Sequence, residues 1–321
     1  MTAHLALAVI QFENLIRHAN LALALSTEAM CGVMDVHEEQ VQNLRPYPEI
    51  NECAATVRNY LVDSSWTVSR GKADPKVIEF RTVSGSFDST QDDYCLRCGP
   101  VVHGTALRAL NDAKSVVEIE LNSVNDNPVI IEGEAFSGAH FHGMPLAFVA
   151  DELRTAMAIL GGICERRIAK LMNDKRNYGL PRHLTLDNPN GIKSGWMIAQ
   201  YSAASMVNEL KTRSMPYCVG NVTTGNESED FVSMGSNSCR AAFELMNVLQ
   251  DLIAIEIAAA TRAIMIRSSL MAQTTTYSTS ARQTIEAFER AGIEIMHNDD
   301  RPLNHILSGS ASLISSLKFP I

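Results

Sequence analysis

The sequence predicts an all-α protein, a bundle of long helices with one small β-hairpin. Three observations carry that reading. Apolar residues recur three and four positions apart over long stretches, the period of a helix with one buried face. Extended patterning is confined to Val129–Ile131 and Glu134–Phe136, two short runs turning at Gly133. Polar, glycine-flanked loops precede several of the helical stretches, which puts chemistry on the loops of a helical scaffold.

Taken in order, Leu5, Val9, Phe12, Ile16 and Leu23 keep helical spacing almost from Met1. Two readings fit that start: a helix capped by Thr2, or a chain beginning in the middle of a larger fold. From Ser64 to Ser89 glycine, proline and serine interrupt short extended pieces, which reads as a long functional or interface loop. Pro145 suits a first helical turn, and Leu146, Val149, Leu153, Met157 and Leu160 continue the period towards Ile168 and Met172. A further helix is expected from Lys193 to about Arg213, before Pro216. Another starts near Ser238 and is apolar or alanine at most positions from Leu252 to Ile266, so it is expected to be covered on nearly all sides. Its alanine run suits close helix–helix or subunit packing. The Ser/Thr-rich linker Thr274–Ser280 opens a tail with a short helix near Ala281–Ala291. The bundle is therefore assigned to residues 1–272 and the helical tail to residues 273–321. No internal repeat is visible.

The bulk properties exclude several function classes. With 321 residues and 46% hydrophobic content the chain is long enough to bury a sizeable core. A net charge of −9 and a pI near 5.5 argue against a nucleic-acid footprint or a polybasic membrane surface. Seven cysteines without framework spacing read as free thiols of a reducing compartment, and no signal peptide or membrane-spanning run is evident. The expected location is cytoplasmic.

Three stretches carry candidate chemistry. In QDDYCLRC, a helix beginning near Asp92 would put Gln91, Tyr94 and Arg97 three apart on one face. An amide, a phenol and a guanidinium together can hold a carboxylate; the alternative is a solvated face with a local Asp–Arg pair. The Cys95–Cys98 spacing lacks the βαβ context of a redox motif. In SGAHFHGMP, a lone Phe141 stands among glycines and histidines, and His140 with His142 forms an HxH pair without a clear third metal ligand. In TTGNESEDFVSMGS, Glu227, Glu229 and Asp230 stand ahead of a helix, where N-terminal capping accounts for one or two of them.

In order along the chain, QDDYCLRCGP, ELNSVNDNPV, SGAHFHGMPLA, ERRIAKLM, SGWMIAQ and SEDFVSM resemble the motifs of the aromatic amino acid ammonia-lyases. Histidine ammonia-lyase is the closest member by these motifs, with phenylalanine and tyrosine ammonia-lyases and the aminomutases as relatives. The resemblance runs from near Met1 to about Ala272 and weakens in the tail. It implies a fumarase-like helical fold with a tetrameric core, in which each site draws residues from three subunits.

The resemblance also implies an electrophile, methylidene imidazolone (MIO), formed from an internal Ala-Ser-Gly triplet that this sequence does not contain. Met1 falls just after the position of the family's Asn-Gly-Thr motif. The chain thus resembles the carboxyl-terminal part of the enzyme, as a split subunit, a clipped polypeptide or an engineered piece, and needs an N-terminal MIO-bearing chain or domain as partner. By the same carry-over Arg97 matches the substrate-carboxylate clamp, Tyr94 a phenol near electrophile and amine, Gln91 an amide that orients them, and Phe141 an aromatic packed beside the substrate. Glu229 matches a glutamate typical of histidine enzymes. Two departures stand beside it: Glu227-Ser228 replaces the usual Asn-Gln, and His140 stands where histidine enzymes commonly have Asn. The implied reaction is loss of ammonia from L-histidine to give urocanate, with no metal. Alternatives are a tyrosine or phenylalanine ammonia-lyase, an aminomutase, or a non-catalytic assembly subunit.

Overall fold

A computed structural model describes residues 1–83, 91–187, 191–297 and 300–321. In chain order the helices are α1 (Thr2–Ala29), α2 (Glu39–Gln42), α3 (Pro48–Tyr60), α4 (Pro75–Val83), α5 (Tyr94–Arg97) and α6 (Gly99–Leu121). Strands β1 (Val129–Ile131) and β2 (Glu134–Phe136) follow, then α7 (Met144–Leu171), α8 (Met197–Thr212), α9 (Gly235–Ser268), α10 (Thr279–Arg290) and α11 (Asn304–Ser315). The fold is all-α with one antiparallel hairpin, as predicted. That hairpin pairs Val129 with Phe136 and Ile131 with Glu134, turning at Gly133 with φ +85°.

The core is the mutual packing of α1, α7 and α9, with α6 and α8 against α7. Small residues set the spacing. A Cβ on Gly161 of α7 would lie 2.5 Å from a Leu210 methyl of α8 and 3.0 Å from one of Leu252 of α9, so a larger residue there would have to push these leucines aside. From Leu252 to Ala260 every residue of α9 is buried, the all-round burial its alanine and isoleucine pattern predicts.

Several boundaries differ from the sequence reading. Met1, not Thr2, precedes α1, and no side chain of the described residues caps it. The expected loop between Ser64 and Ser89 contains α4, started by Pro75 and by the Asp74 carboxylate, which accepts the Lys76 backbone N–H at 2.8 Å. Residues 84–90 of that stretch lie outside the described residues. Helix α8 starts at Met197 rather than Lys193, because the Asp300 carboxylate draws the Ser194 and Gly195 N–H groups into a loop. In the tail, Ser278 caps α10 by accepting the Ala281 N–H at 3.1 Å. The closing stretch holds an unforeseen helix, α11, whose serine-rich sequence has little helical preference of its own. Burial of Ile306, Leu313 and Ile314 against the bundle accounts for it. No helix of the described residues is long and apolar enough to cross a membrane.

Charges inside the bundle tie its elements together. Arg167 of α7 and Glu256 of α9, both fully buried, form a two-point ion pair that Ser26 of α1 joins at 2.8 Å. Glu28 accepts the Ser278 N–H and hydroxyl and so fastens the start of α10. Burial pushes its carboxyl up to about 7, against the hydrogen bonds that lower it.

Candidate active site

At one end of the bundle, two adjacent acids anchor the QDDYCLRC segment. Asp92 is buried, pairs with Arg81 at 2.9 Å and accepts the Val33 N–H at 2.6 Å. Asp93 accepts from Lys170 at the end of α7 and from Arg176. Partial burial raises the Asp93 carboxyl, but those two cations outweigh it and hold the group below its ordinary value. Asp92 is turned inward and Asp93 is tied to α7 by its cations, while Tyr94 beside them projects. Tyr94 is 70% exposed, the Arg97 guanidinium lies 5.0 Å over its ring, and Arg97 Nη1 donates to Gln91 Oε1.

The three predicted residues therefore meet, though not by the predicted route. Helix α5 is one turn starting at Tyr94, since Asp92 is committed to Arg81, and Gln91 reaches Arg97 from the chain before the helix. Nor does Arg97 pair with an aspartate among the described residues. Both thiols of the CxxC are free, and burial pushes that of Cys95 up to about 11, leaving little thiolate there near neutral pH.

At the other end, the β-hairpin hands the chain to the loop that opens α7. Asn127 Oδ1 accepts the Gly138 N–H at 2.7 Å, and Gly143 precedes the first turn. Phe141 is 54% exposed. It faces a cleft of about 330 Å³ lined also by His142, Glu229 and Phe231. The His142 Nε2–H donates to the Phe231 carbonyl at 3.1 Å, and the two rings stack 6.3 Å apart. That engages His142 with the facing loop, and among the described residues no group of three His, Cys, Asp or Glu is placed to hold a metal ion.

The segment carrying Glu229 is a loop fastened to α7. Arg154 donates to the Met215 carbonyl at 2.8 Å and lies 4.4 Å over Tyr217, while Asp151 accepts the Cys218 N–H at 2.8 Å. Within the loop, Asn221 accepts the Val232 N–H and donates to the Asp230 carbonyl. Glu227, Glu229 and Asp230 do not cap α9, which begins at Gly235 with no acid in its first turn. They belong to the loop's own turn. Phe231, 60% exposed beside Phe141, is a cleft residue the sequence reading missed. The signal available for it was an aromatic inside an otherwise polar run.

The two clusters are far apart. Phe141 precedes the first turn of the 28-residue α7, whereas Lys170 and Arg167 near its last turn hold Asp93 and the Cys95 carbonyl. At about 1.5 Å per residue the separation is roughly 35 Å. Phe141 and Glu229 share one cleft; Gln91, Tyr94 and Arg97 share the opposite end of the molecule. One end offers an aromatic face beside a carboxylate, suited to a ring bearing N–H groups or positive charge. The other offers a guanidinium, a phenol and an amide, suited to a carboxylate and an amine.

The structure is thus a helical bundle with a guanidinium, a phenol and an amide grouped at one end and an aromatic–acidic cleft at the other. The family model for aromatic amino acid lyases matches residues 1–290, and the chain belongs to that family. Histidine ammonia-lyase of Geobacillus kaustophilus is 38% identical over 265 residues, covering 82% of this chain and 49% of the relative. That of Gloeobacter violaceus is 38% identical over 272 residues, covering 84% and 50%. Among solved structures, tyrosine aminomutase from Streptomyces globisporus superposes with a TM-score of 0.88 at 30% identity, covering 98% of this chain and 60% of that one. Histidine ammonia-lyase from Trypanosoma cruzi superposes at 0.82 with 26% identity, covering 98% and 56%. The chain spans about half the length of the curated relatives it matches.

Proposed function

We propose that this chain supplies the carboxyl-terminal part of an MIO-dependent ammonia-lyase that eliminates ammonia from L-histidine to give urocanate. The observation that carries the histidine assignment is the Glu229 carboxylate lining the same cleft as the Phe141 ring. A bare phenyl ring gives such a carboxylate no partner, whereas an imidazole offers an N–H. In this reading residues 1–272 are the bundle and residues 273–321 a tail, and the chain works in the cytoplasm, as its seven free cysteines favour.

The sequence lacks the Ala-Ser-Gly triplet from which MIO forms, so the electrophile comes from an N-terminal chain or domain. The residues present fit such a flat group: Phe141 and Tyr94 expose 54% and 70% of their surface, leaving ring faces for it to cover. When bound, MIO supplies an electrophile that makes the substrate amine a better leaving group. The chain's own residues bind and orient. Arg97 takes the α-carboxylate through its guanidinium, Gln91 fixes that guanidinium, and Tyr94 presents its phenol to the amine. Phe141 packs on the substrate ring while Glu229 accepts its N–H.

Because the two clusters lie roughly 35 Å apart along α7, one pocket using both needs two copies of the chain running in opposite directions. A homotetramer meets that requirement, with the apolar Phe148 and Ile159 on the outside of α7 (62% and 46% exposed) available for burial. The test is to purify the chain alone and together with an MIO-bearing N-terminal half. Urocanate absorbance and light scattering are then recorded. The expected result is no turnover alone and turnover in a tetrameric complex. Turnover by the chain alone refutes the need for a partner, and a complex that releases no ammonia from any aromatic amino acid refutes the reading as a whole.

A further inference from the structure

Glu229 does not stand free in its cleft. Its Oε2 accepts the Thr224 hydroxyl at 2.6 Å, and the two residues also pair through their backbones. Thr224 N–H donates to the Glu229 carbonyl at 2.9 Å, and Glu229 N–H to the Thr224 carbonyl at 3.3 Å. The glycine between them completes the arrangement. A Cβ on Gly225 would lie 2.6 Å from Glu229 Cγ and 2.7 Å from Cδ, closer than any real contact. Gly225 also has φ +56°, a backbone that side chains disfavour. The carboxylate thus lies across the bare glycine with one oxygen on the threonine hydroxyl.

The turn is held against its own preference. Asn226 and Glu227 follow with φ +59° and +70°, left-handed values that a glutamate rarely adopts. Such backbone persists only where the surroundings over-determine it. Here the Thr224–Glu229 pairing closes the turn, and Asn221 holds its outgoing limb at Asp230 and Val232. Neither acid neighbour has this seat: Glu227 and Asp230 make no side-chain hydrogen bond or ion pair with a described residue.

We infer that Thr224 is a positioning residue for Glu229, which it seats over Gly225 so that one carboxylate oxygen is held and the other is left for the substrate. This rests on the proposed role of Glu229 at the substrate ring. Thr224 touches no reacting atom. It acts by removing rotamer freedom from a side chain that otherwise has to be ordered when substrate binds, and its hydroxyl removes no acceptor that the substrate needs, because an ionised carboxylate keeps its second oxygen.

The test has a structural and a kinetic arm. Crystal structures of the chain are compared for wild type, Thr224→Val, which keeps the branched shape without the hydroxyl, and Gly225→Ala, which fills the seat. The expected result is a Glu229 carboxylate displaced in both variants while the Thr224–Glu229 backbone pairing persists in Thr224→Val. A carboxylate that stays in place in both overturns the inference. In the enzyme completed by its N-terminal half, Thr224→Val is expected to raise KM for histidine roughly tenfold, the loss of about one charged hydrogen bond's worth of preorganisation, with kcat changed far less. Thr224→Ser, which restores the hydroxyl, is expected to return KM to near the wild-type value. Equal loss in kcat and KM, or no rescue by serine, marks a merely structural residue and overturns the inference. If the completed wild type does not act on histidine, the functional reading fails by itself, and the crystallographic arm still decides whether the seat exists.

Discussion

Replacing Glu256 by Gln tests how the core holds the turn that bears Tyr94 and Arg97. Glu256 and Arg167 are fully buried; Arg167 Nη2 meets Glu256 Oε2 at 2.9 Å, and Nε donates to the other oxygen, which also accepts from Ser26. Burial by itself lowers the Arg167 guanidinium; the charge of Glu256 outweighs it and holds the group above its ordinary value. Glutamine has nearly the same shape but sets an NH2 against Arg167 Nη2 and leaves a buried cation without its counter-charge. Breaking a buried pair from one side costs about 3–5 kcal/mol, a large share of the roughly 5–15 kcal/mol that keeps a domain folded. The assay is urea unfolding followed by two probes, with the single variants Glu256→Gln and Arg167→Met and the double variant Arg167→Met/Glu256→Met. The double variant is expected to cost much less than either single, because a neutral apolar pair leaves no unpaired charge. Arg167 Nη1 also donates to the Cys95 carbonyl at 3.2 Å, inside the turn that bears Tyr94 and Arg97. Amide exchange from Cys95 to Arg97 should therefore quicken in Glu256→Gln at urea concentrations where the bundle remains folded. A single-variant cost below about 1 kcal/mol, or a double variant as damaged as the singles, refutes the assignment of Arg167 to Glu256 as its essential partner.

Three further outcomes are expected. In the completed enzyme, Arg97→Lys keeps the charge but loses both the Gln91 contact and the planar fork, so KM should rise about ten- to hundredfold, the equivalent of roughly 1.5–3 kcal/mol; an unchanged KM removes Arg97 from the carboxylate. Glu229→Gln should slow histidine more than phenylalanine or tyrosine, and equal slowing of all three would falsify the selectivity role. Acid should destabilise the chain already below about pH 6.5, where free imidazoles take up protons. Burial lowers His18 to about 4 and His37 to about 3, and lowers His103 well below 6.5. The unfolded chain takes up those protons below about pH 6.5, and the folded one does not, so stability present above that pH is lost as pH falls towards the folded values. For His18 alone the loss is about 3 kcal/mol. Glu28, raised to about 7, and Glu152 and Asp251, also raised by burial, work in the opposite sense, but four lowered imidazoles, His183 among them, oppose these three carboxyls. A urea midpoint at pH 5 equal to or above that at pH 7.5 refutes this.

Helix period and the hairpin were legible because each rests on local chemistry. Leu146 to Met172 keeps one apolar period, and α7 runs where that period runs. What was not legible depended on partners distant in sequence. Helix α11 exists because α9 covers Ile306 and Ile314, some fifty residues away from it; its own serines and glycine carry no such signal. Helix α8 starts late because Asp300, more than a hundred residues on, takes the N–H groups ahead of it. The same distinction runs through the site. Gln91, Tyr94 and Arg97 were readable as a set because seven residues contain them, yet the reason they project is that Asp92 and Asp93 are held by Arg81, Lys170 and Arg176.

The arrangement of the two clusters follows from the connection between their helices. The hairpin turns the chain back, so that α7 returns alongside α6. Residues just before α6 and residues just before α7 are thereby placed at opposite ends of one helix pair. A 23-residue α6 and a 28-residue α7 hold them roughly 35 Å apart whatever the side chains do, since a packed helix does not shorten. No rearrangement of the loops within one copy brings Arg97 to Glu229. If both contact one amino-acid substrate, the contacts come from different chains, and variants at the two positions become a direct test: Arg97→Lys and Glu229→Gln, carried on separate copies and mixed, should regenerate some sites with both native residues. Activity in the mixed assembly above that of either variant alone supports a shared pocket. Activity no higher than the mean of the two means that the residues serve separate sites.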